Sequence, residues 1–296
     1  MRGKHTILST ISDFKTLART ISLVENEADG FENTLETLYT HQIPVVGFTG
    51  PPGAGKSTLL NAVVGSLLDV GKKVGLVLVD PSSPFNLGAL LGDRLRMSTH
   101  FNHPNLYIRS VATRGSLGGL SDKIIEIVEV MRAYSFDYIF IETVGVGQSE
   151  VEIAGLADTT VVVLVPEAGD SIQTMKAGVM EIADILVVNK ADRADADALV
   201  TSLQHQLQMS GREHIPVLKT VAVEARGINE LLSSISHHEY SPLNVSRRIM
   251  LLTEKALCIV AKKRTKDIDR TNLAERIRVE YLKTDFNLYR IIKSFV

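Results

Sequence analysis

The most constraining feature of this chain is a glycine-rich stretch between an apolar run and a helical pattern. Residues 43–49 are apolar enough to form a buried strand, and the helical pattern continues to Gly71. Strand, glycine loop and helix in this order form the Walker A arrangement, whose backbone N–H groups surround a phosphate chain. The residues of the motif are Gly50, Pro51, Pro52, Gly53, Ala54, Gly55, Lys56, Ser57 and Thr58.

The residues of this motif match the chemistry of a bound triphosphate. Glycines allow successive N–H groups to turn toward the phosphates, Lys56 reaches the β and γ oxygens, and Ser57 offers a hydroxyl to Mg²⁺. The helix that follows adds the positive end of its dipole. We therefore predict that the chain binds a nucleoside triphosphate together with magnesium.

Short apolar runs alternate with helical patterns after the motif, which predicts an α/β fold of the P-loop NTPase class. A mostly parallel sheet flanked by helices is expected, with its ligands beyond the carboxyl ends of the strands. We expect an N-terminal helical extension at 1–42, a nucleotide domain at 43–238 and a C-terminal helical arm at 239–296. The predicted later strands are 74–80, 106–111, 138–142, 160–165, 185–189 and 217–223.

Composition narrows the functional class. The chain has 296 residues, 45% of them hydrophobic, and a single cysteine, which excludes a disulfide framework. Apolar runs are too short to cross a membrane, and a net charge of −2 gives no general attraction to nucleic acid. We expect a cytoplasmic protein, although a basic N-terminus leaves an organellar import segment as an alternative.

The C-terminal part differs from the rest in charge and pattern. Residues 241–296 hold 13 Lys or Arg against 6 Asp or Glu. Val245, Ile249, Leu252, Ala256 and Ile259 follow each other at helical spacing and form a narrow apolar seam. Packing within the chain and pairing with a second copy both explain such a seam, and the positive charge fits either solvated helix faces or an acidic partner.

Three carboxylates are predicted near the phosphate end of the sheet. Glu142 ends an apolar run and is followed by Gly145, whose N–H is placed to meet a γ-phosphate. Asp80 ends another run, and Asp93 lies shortly after it. Because Mg²⁺ prefers hard oxygen ligands and keeps several waters, all three are candidate partners of the ion beside Ser57.

A second motif indicates which base is bound. The run 185–188 is followed by Asn189, Lys190 and, two residues on, Asp192. The Asp192 carboxylate can accept from N1–H and the exocyclic amine of guanine, whereas adenine would leave it unpaired. The sequence therefore predicts GTP and GDP as ligands, with N–H groups of Val221, Ala222 and Val223 directed at the guanine O6 atom.

Weaker candidates are Arg109, Arg114 and the loop 115–119 for phosphate or a partner, Gln148 for the attacking water, and Lys176 in a glycine-bearing loop. The arginines can equally pair with surface acids. His100 and His103 lack the accompanying ligands of a transition-metal site.

These motifs together resemble the methylmalonyl-CoA mutase-associated GTPases of the MeaB/ArgK type, a metallochaperone-like branch of the P-loop GTPases. The similarity extends from about residue 14 to residue 228. The stretches that carry it are 17–26, 50–58, 80–84, 91–97, 113–121, 142–150 and 189–192.

The resemblance implies a homodimeric GTPase that accompanies an adenosylcobalamin-dependent acyl-CoA mutase and gates its cofactor loading and protection. By matching positions, Asp80 and Asp93 resemble first-switch acids, Glu142 the second-switch acid and Lys176 the lysine of a third switch. The alternatives are a metal-insertion GTPase, a transport-associated arginine/ornithine ATPase and a nucleic-acid-binding module. The sequence lacks the Cys/His cluster that metal insertion would need, and it offers no adenine preference for an ATPase. Its net charge does not favour nucleic-acid binding.

Overall fold

The computed structural model describes residues 11–80, 99–112, 123–143, 149–166, 179–238, 242–265, 267–281 and 286–293. Asp93 and Lys176 lie outside these ranges. The chain divides into two compact units, Met1–Val245 and Ser246–Val296. The first unit contains the sheet and both predicted sequence motifs.

The first unit is built on a seven-stranded sheet, and every strand pairing in the described chain is parallel. The strand order is β3-β2-β4-β1-β5-β6-β7, so the strand before the glycine loop lies in the middle. This confirms the predicted α/β fold. The strands are β1 (Val45–Thr49), β2 (Val74–Asp80), β3 (Leu106–Ala112), β4 (Tyr138–Glu142), β5 (Thr159–Leu164), β6 (Ile185–Val188) and β7 (Val217–Lys219).

Helices cover both faces of this sheet. The described helices of the first unit are α1 (Phe14–Glu25), α2 (Phe31–Thr37), α3 (Lys56–Asp69), α4 (Ile124–Arg132), α5 (Ser149–Leu156), α6 (Val179–Ile182), α7 (Ala196–Met209) and α8 (Ile228–His238). Side chains of α3 and α8 form one core with one face of the strands. Side chains of α1, α4, α5 and α7 form the cores of the opposite face. The N-terminal extension thus shares its core with the nucleotide domain.

Strand β1 is buried along its whole length, as expected for the centre of a parallel sheet. Val46 and Phe48 belong to the core on the α3 side, and Val45 belongs to the core on the α1 side. Gly47 lets α5 approach closely, because a Cβ atom there would lie 2.4 Å from Cγ1 of Ile153. The glycine therefore fixes the distance between β1 and α5.

The last strand is shorter than the sequence predicts. It ends at Lys219, and Ala222–Glu224 form a 3₁₀ turn, so residues 221–223 do not end a strand. The physical reason is a tight loop in which the Val221 N–H donates to the Arg226 carbonyl at 3.1 Å. Gly227, with φ of 82°, closes this loop where a Cβ atom would lie 2.3 Å from the Lys219 carbonyl oxygen.

The second unit begins within a long helix, and its described elements are helices. Its elements are α9 (Pro242–Arg264, shared with the first unit), α10 (Arg270–Tyr281) and α11 (Leu288–Ile292). The apolar seam of α9 is largely exposed, including Val245, Ile249 and Leu252. No described helix of the chain combines the length and apolarity needed to span a bilayer.

Candidate functional site

The Walker A residues form a compact turn between β1 and α3. Three glycines have positive φ angles, Gly50 at 139°, Gly53 at 78° and Gly55 at 84°. A Cβ atom on Gly50 would lie 2.1 Å from the carbonyl oxygen of Val163, so a larger residue there would force the backbone apart. The turn ends at Lys56, the first residue of α3.

The Lys56 side chain folds back over this turn. Its Nζ atom donates to the carbonyl oxygens of Gly50 at 2.8 Å and Pro51 at 3.1 Å, and the residue is buried. A cation in a poorly solvated position attracts an anion more strongly than one in water. The placement of Lys56 therefore suits a phosphate group bound at the loop.

Ser57 connects the phosphate loop to the end of β4. Its hydroxyl donates to Oε1 of Glu142 at 2.6 Å, and both residues are buried. Glu142 reaches this position because β4 lies beside β1, with Glu142 opposite Phe48. The structure thus brings together two of the predicted magnesium partners, and a hydroxyl beside a carboxylate supplies the hard oxygens that this ion prefers.

Asn189 joins three loops at the carboxyl end of the sheet. Its Nδ2 donates to the Ala54 carbonyl oxygen at 2.9 Å. Its Oδ1 accepts from the Thr220 hydroxyl at 3.1 Å and from the Ala222 N–H at 3.3 Å. The amide is buried, and it fixes the phosphate loop relative to the loop after β7.

The rest of the base motif lies directly beyond Asn189. Lys190 has φ of 56°, and its Nζ atom donates to the Gly53 carbonyl oxygen at 2.9 Å. The Ala191 N–H donates to the Thr220 carbonyl oxygen at 3.0 Å, and Asp192 follows with an exposed side chain. Lys190 thus contacts the phosphate loop, and Asp192 two residues on has a solvent-exposed carboxylate that is accessible to a base.

The loop after β7 offers fewer N–H groups than the sequence predicts. The Val221 N–H bonds to Arg226 and the Ala222 N–H to Asn189, so protein acceptors already engage two of the three. Val223 follows with an exposed side chain. A base at this loop would therefore meet the Val223 N–H or share the Ala222 N–H with Asn189.

Several candidates lie wholly or partly outside the described residues. Asp80 is the last residue of β2 and pairs with Ala112 through the backbone, but its side chain lies outside the described part. Arg114, the loop 115–119 and Gln148 also lie outside it. Among the described residues, no three His, Cys, Asp or Glu side chains form a group that could hold a metal ion.

Arg109 is placed away from the phosphate loop. It lies in β3, donates to the Ser22 hydroxyl at 3.3 Å and forms an ion pair with Glu25, both on α1. Of its two suggested roles, pairing with an acid is the one seen. Arg109 fastens the N-terminal extension to the edge of the sheet.

A family comparison agrees with this geometry. The model of the family described as Methylmalonyl Co-A mutase-associated GTPase MeaB matches residues 17–264, most of the chain. The chain belongs to the MeaB family. It is therefore a GTPase, and GTP binding follows from that membership.

Two relatives show how far the MeaB-family similarity extends. A Pyrococcus abyssi protein named as a GTPase of unspecified role is 49% identical over 234 residues, or 76% of this chain and 72% of the relative. The GTPase ArgK of Escherichia coli is 35% identical over 265 residues, which cover 85% of this chain and 80% of that protein.

A solved structure supports the fold of this MeaB-family chain. The crystal structure of an LAO/AO transport system kinase has a TM-score of 0.64 and 24% sequence identity. The match covers 97% of this chain and 98% of that one. At this identity the similarity shows the architecture alone.

Sequence reasoning missed three threonines of the MeaB-family site. Thr220 orients the Asn189 amide, and Thr49 and Thr143 form a buried hydroxyl pair beneath the phosphate loop. Each lies next to a motif residue, namely Val221, Gly50 or Glu142. That proximity was the only available signal, because a threonine beside a motif has no characteristic spacing of its own.

Proposed function

We propose that this MeaB-family GTPase gates cofactor loading and protection of an adenosylcobalamin-dependent acyl-CoA mutase. The family description, which names a methylmalonyl-CoA mutase, supports this partner class. The observation that carries the gating role is the contact between Ser57 and Glu142. It connects the phosphate loop to β4, and β4 leads into the segment predicted to detect the γ-phosphate.

Within this proposal, different described residues bind different parts of the nucleotide. Lys56 and the N–H groups of the phosphate loop bind the β and γ phosphates. Asp192 accepts from the guanine N1–H and exocyclic amine, and Asn189 keeps the base loop and the phosphate loop in register. Lys190 donates to the Gly53 carbonyl oxygen and so connects the base motif to the phosphate loop, and we propose that it contacts the base from this position.

Magnesium is the proposed metal, and Ser57 with Glu142 would hold it directly or through water. The fit rests on the buried hydroxyl and carboxylate, 2.6 Å apart at the phosphate loop. When bound, the ion neutralises charge that develops on the phosphate oxygens during hydrolysis. We propose Asp80 and Asp93 as further partners, on their predicted positions near the phosphate end of the sheet and on the family resemblance. We propose Lys176 as a nucleotide-dependent contact on the family resemblance.

We further propose that residues 239–296 form a dimerisation arm. The support is the exposed seam of α9, in which Val245, Ile249 and Leu252 are 61%, 59% and 46% exposed. Apolar side chains in a continuous exposed row favour association. Ile249→Glu should convert a dimer to a monomer in sedimentation, whereas Glu254→Gln on the same helix should leave the mass unchanged.

The mutase proposal is tested by calorimetric titration of the GTPase into a purified adenosylcobalamin-dependent methylmalonyl-CoA mutase. Parallel titrations contain GDP, a non-hydrolysable GTP analogue or no nucleotide. A gating role predicts affinities that differ between the GDP and analogue states, since a ligand can shift an equilibrium only by its differential affinity. Lys56→Ala should abolish this difference.

Three results would count against the proposal. Absence of binding in all three nucleotide states would exclude this mutase as the partner. Equal affinity in the GDP and analogue states would exclude gating, even if the two proteins associate. A difference that persists in Lys56→Ala would mean that the nucleotide does not act through the phosphate loop.

A further inference from the structure

Two buried threonines form a link beneath the phosphate loop. The Thr143 hydroxyl donates to Oγ1 of Thr49 at 3.0 Å, and both residues are almost completely excluded from solvent. Thr143 also donates its N–H to the Phe48 carbonyl oxygen at 3.1 Å, one residue beyond the paired part of β4. The hydroxyl pair therefore extends the contact between β1 and β4 past the end of their ladder.

The position of this link relative to the phosphate loop is informative. Thr49 directly precedes the loop residues 50–56, and Ser57 directly follows them. Thr49 bonds to Thr143, and Ser57 bonds to Glu142. Two consecutive residues at the end of β4 thus hold both ends of the phosphate loop.

We propose that the Thr49–Thr143 hydroxyl pair is a positioning element for GTP hydrolysis. It fixes the point at which the chain leaves β4 and thereby keeps the Glu142 carboxylate on Ser57. The inference rests on the proposed roles of Ser57 and Glu142 at the nucleotide. Neither threonine needs to touch the nucleotide, because each acts through its neighbour in the chain.

The surrounding contacts indicate which step the pair controls. The phosphate loop has other ties, from Lys56 to Gly50, from Asn189 to Ala54 and from Lys190 to Gly53. The phosphate loop should therefore still bind the phosphates of GDP when the hydroxyl pair is removed. The end of β4 is held by its backbone pairing with β1 and β2 and by the side-chain contacts of residues 142 and 143. Because the hydroxyl pair belongs to these contacts and not to those of the phosphate loop, its loss should lower the rate of hydrolysis.

Valine substitutions test this assignment, because valine keeps the shape of threonine and removes only the hydroxyl. The set consists of Thr49→Val, Thr143→Val, the double variant and Thr143→Ser. The last of these keeps the hydroxyl and removes only the methyl group. Thr160→Val is the matched control, since Thr160 is a buried strand threonine of β5 whose hydroxyl has no hydrogen-bond partner in the described structure. The measurements are kcat and KM for GTP with Mg²⁺, the Kd for fluorescent GDP, and thermal unfolding.

Each single valine variant should lower kcat about tenfold, the scale of one hydrogen bond, and change the Kd for GDP less than about twofold. The double variant should be no slower than the singles, because the two hydroxyls act as one unit. Thr143→Ser should recover most of the rate, and Thr160→Val should retain wild-type kcat.

A lower unfolding temperature with unchanged kcat would show a purely structural pair and overturn the inference. Equal losses in kcat and GDP affinity, or a double variant slowed by the product of the two single effects, would overturn it as well. Ser57→Ala separates the two proposals. If Ser57→Ala is also fully active, the proposed site itself fails; if only the valine variants are fully active, the threonine inference fails alone.

Discussion

Replacement of Asn189 by alanine is the most informative stability perturbation in this structure. The side chain makes three hydrogen bonds, to Ala54, Thr220 and Ala222, and is 2% exposed. At about 1 kcal/mol each, Asn189→Ala should lower the free energy of unfolding by about 3 kcal/mol. That is a large share of the roughly 5–15 kcal/mol of a typical domain.

Thr220→Val is the matched partial perturbation, since it removes one of the three bonds and leaves the Asn189 amide in place. We expect a loss of about 1 kcal/mol for this variant. Urea denaturation followed by circular dichroism would measure both values, and titration with fluorescent GDP would show how much affinity each variant loses. Asn189→Ala should weaken GDP binding more than Thr220→Val does.

A contrary result would be an Asn189→Ala variant that loses no more stability than Thr220→Val. The amide would then not join the phosphate loop to the base loop in solution. A normal GDP affinity in Asn189→Ala would likewise refute the claim that this junction preorganises the site, whatever the effect on stability.

Three further predictions concern the sheet and the metal. Thr160→Val should raise the free energy of unfolding by about 1 kcal/mol in urea titrations, because it removes a buried hydroxyl without a partner in the described structure; destabilisation would contradict this. Gly47→Ala should cost about 1–3 kcal/mol through its clash with Ile153, and the double variant with Ile153→Ala, which removes the clashing Cγ1 atom, should lose less than the sum of the two single losses in the same assay; additive losses would refute the clash. Removal of Mg²⁺ by EDTA should stop GTP turnover, and readdition of Mg²⁺ should restore it. Unchanged turnover in EDTA would exclude the metal role.

The elements were predictable where a local pattern determines them. The bounds of β2 and β4 agree with their apolar runs, because a strand buried on both faces is continuously apolar. The Walker A and base motifs were predictable as well, since their chemistry demands fixed residue types at fixed spacing. Their meeting at one end of the sheet follows from parallel topology.

Contacts between residues distant in the sequence were not predictable. Arg109 and Glu25 are 84 positions apart, and Thr49 and Thr143 are 94 apart, so no local pattern joins them. The end of β7 was missed for a related reason. Residues 217–223 have strand composition, but the antiparallel bridge between Val221 and Arg226 turns the chain back at once.

Selection of guanine by Asp192 is the proposed basis of the GTP preference. Its most direct test is nucleotide preference in Asp192→Asn, measured as kcat/KM for GTP and for xanthosine triphosphate. Xanthine carries a carbonyl where guanine carries its exocyclic amine, and an asparagine amide can donate to that carbonyl. If Asp192 selects the base, the wild type should prefer GTP and the variant should prefer xanthosine triphosphate. An Asp192→Asn variant that keeps the wild-type preference for GTP would contradict it.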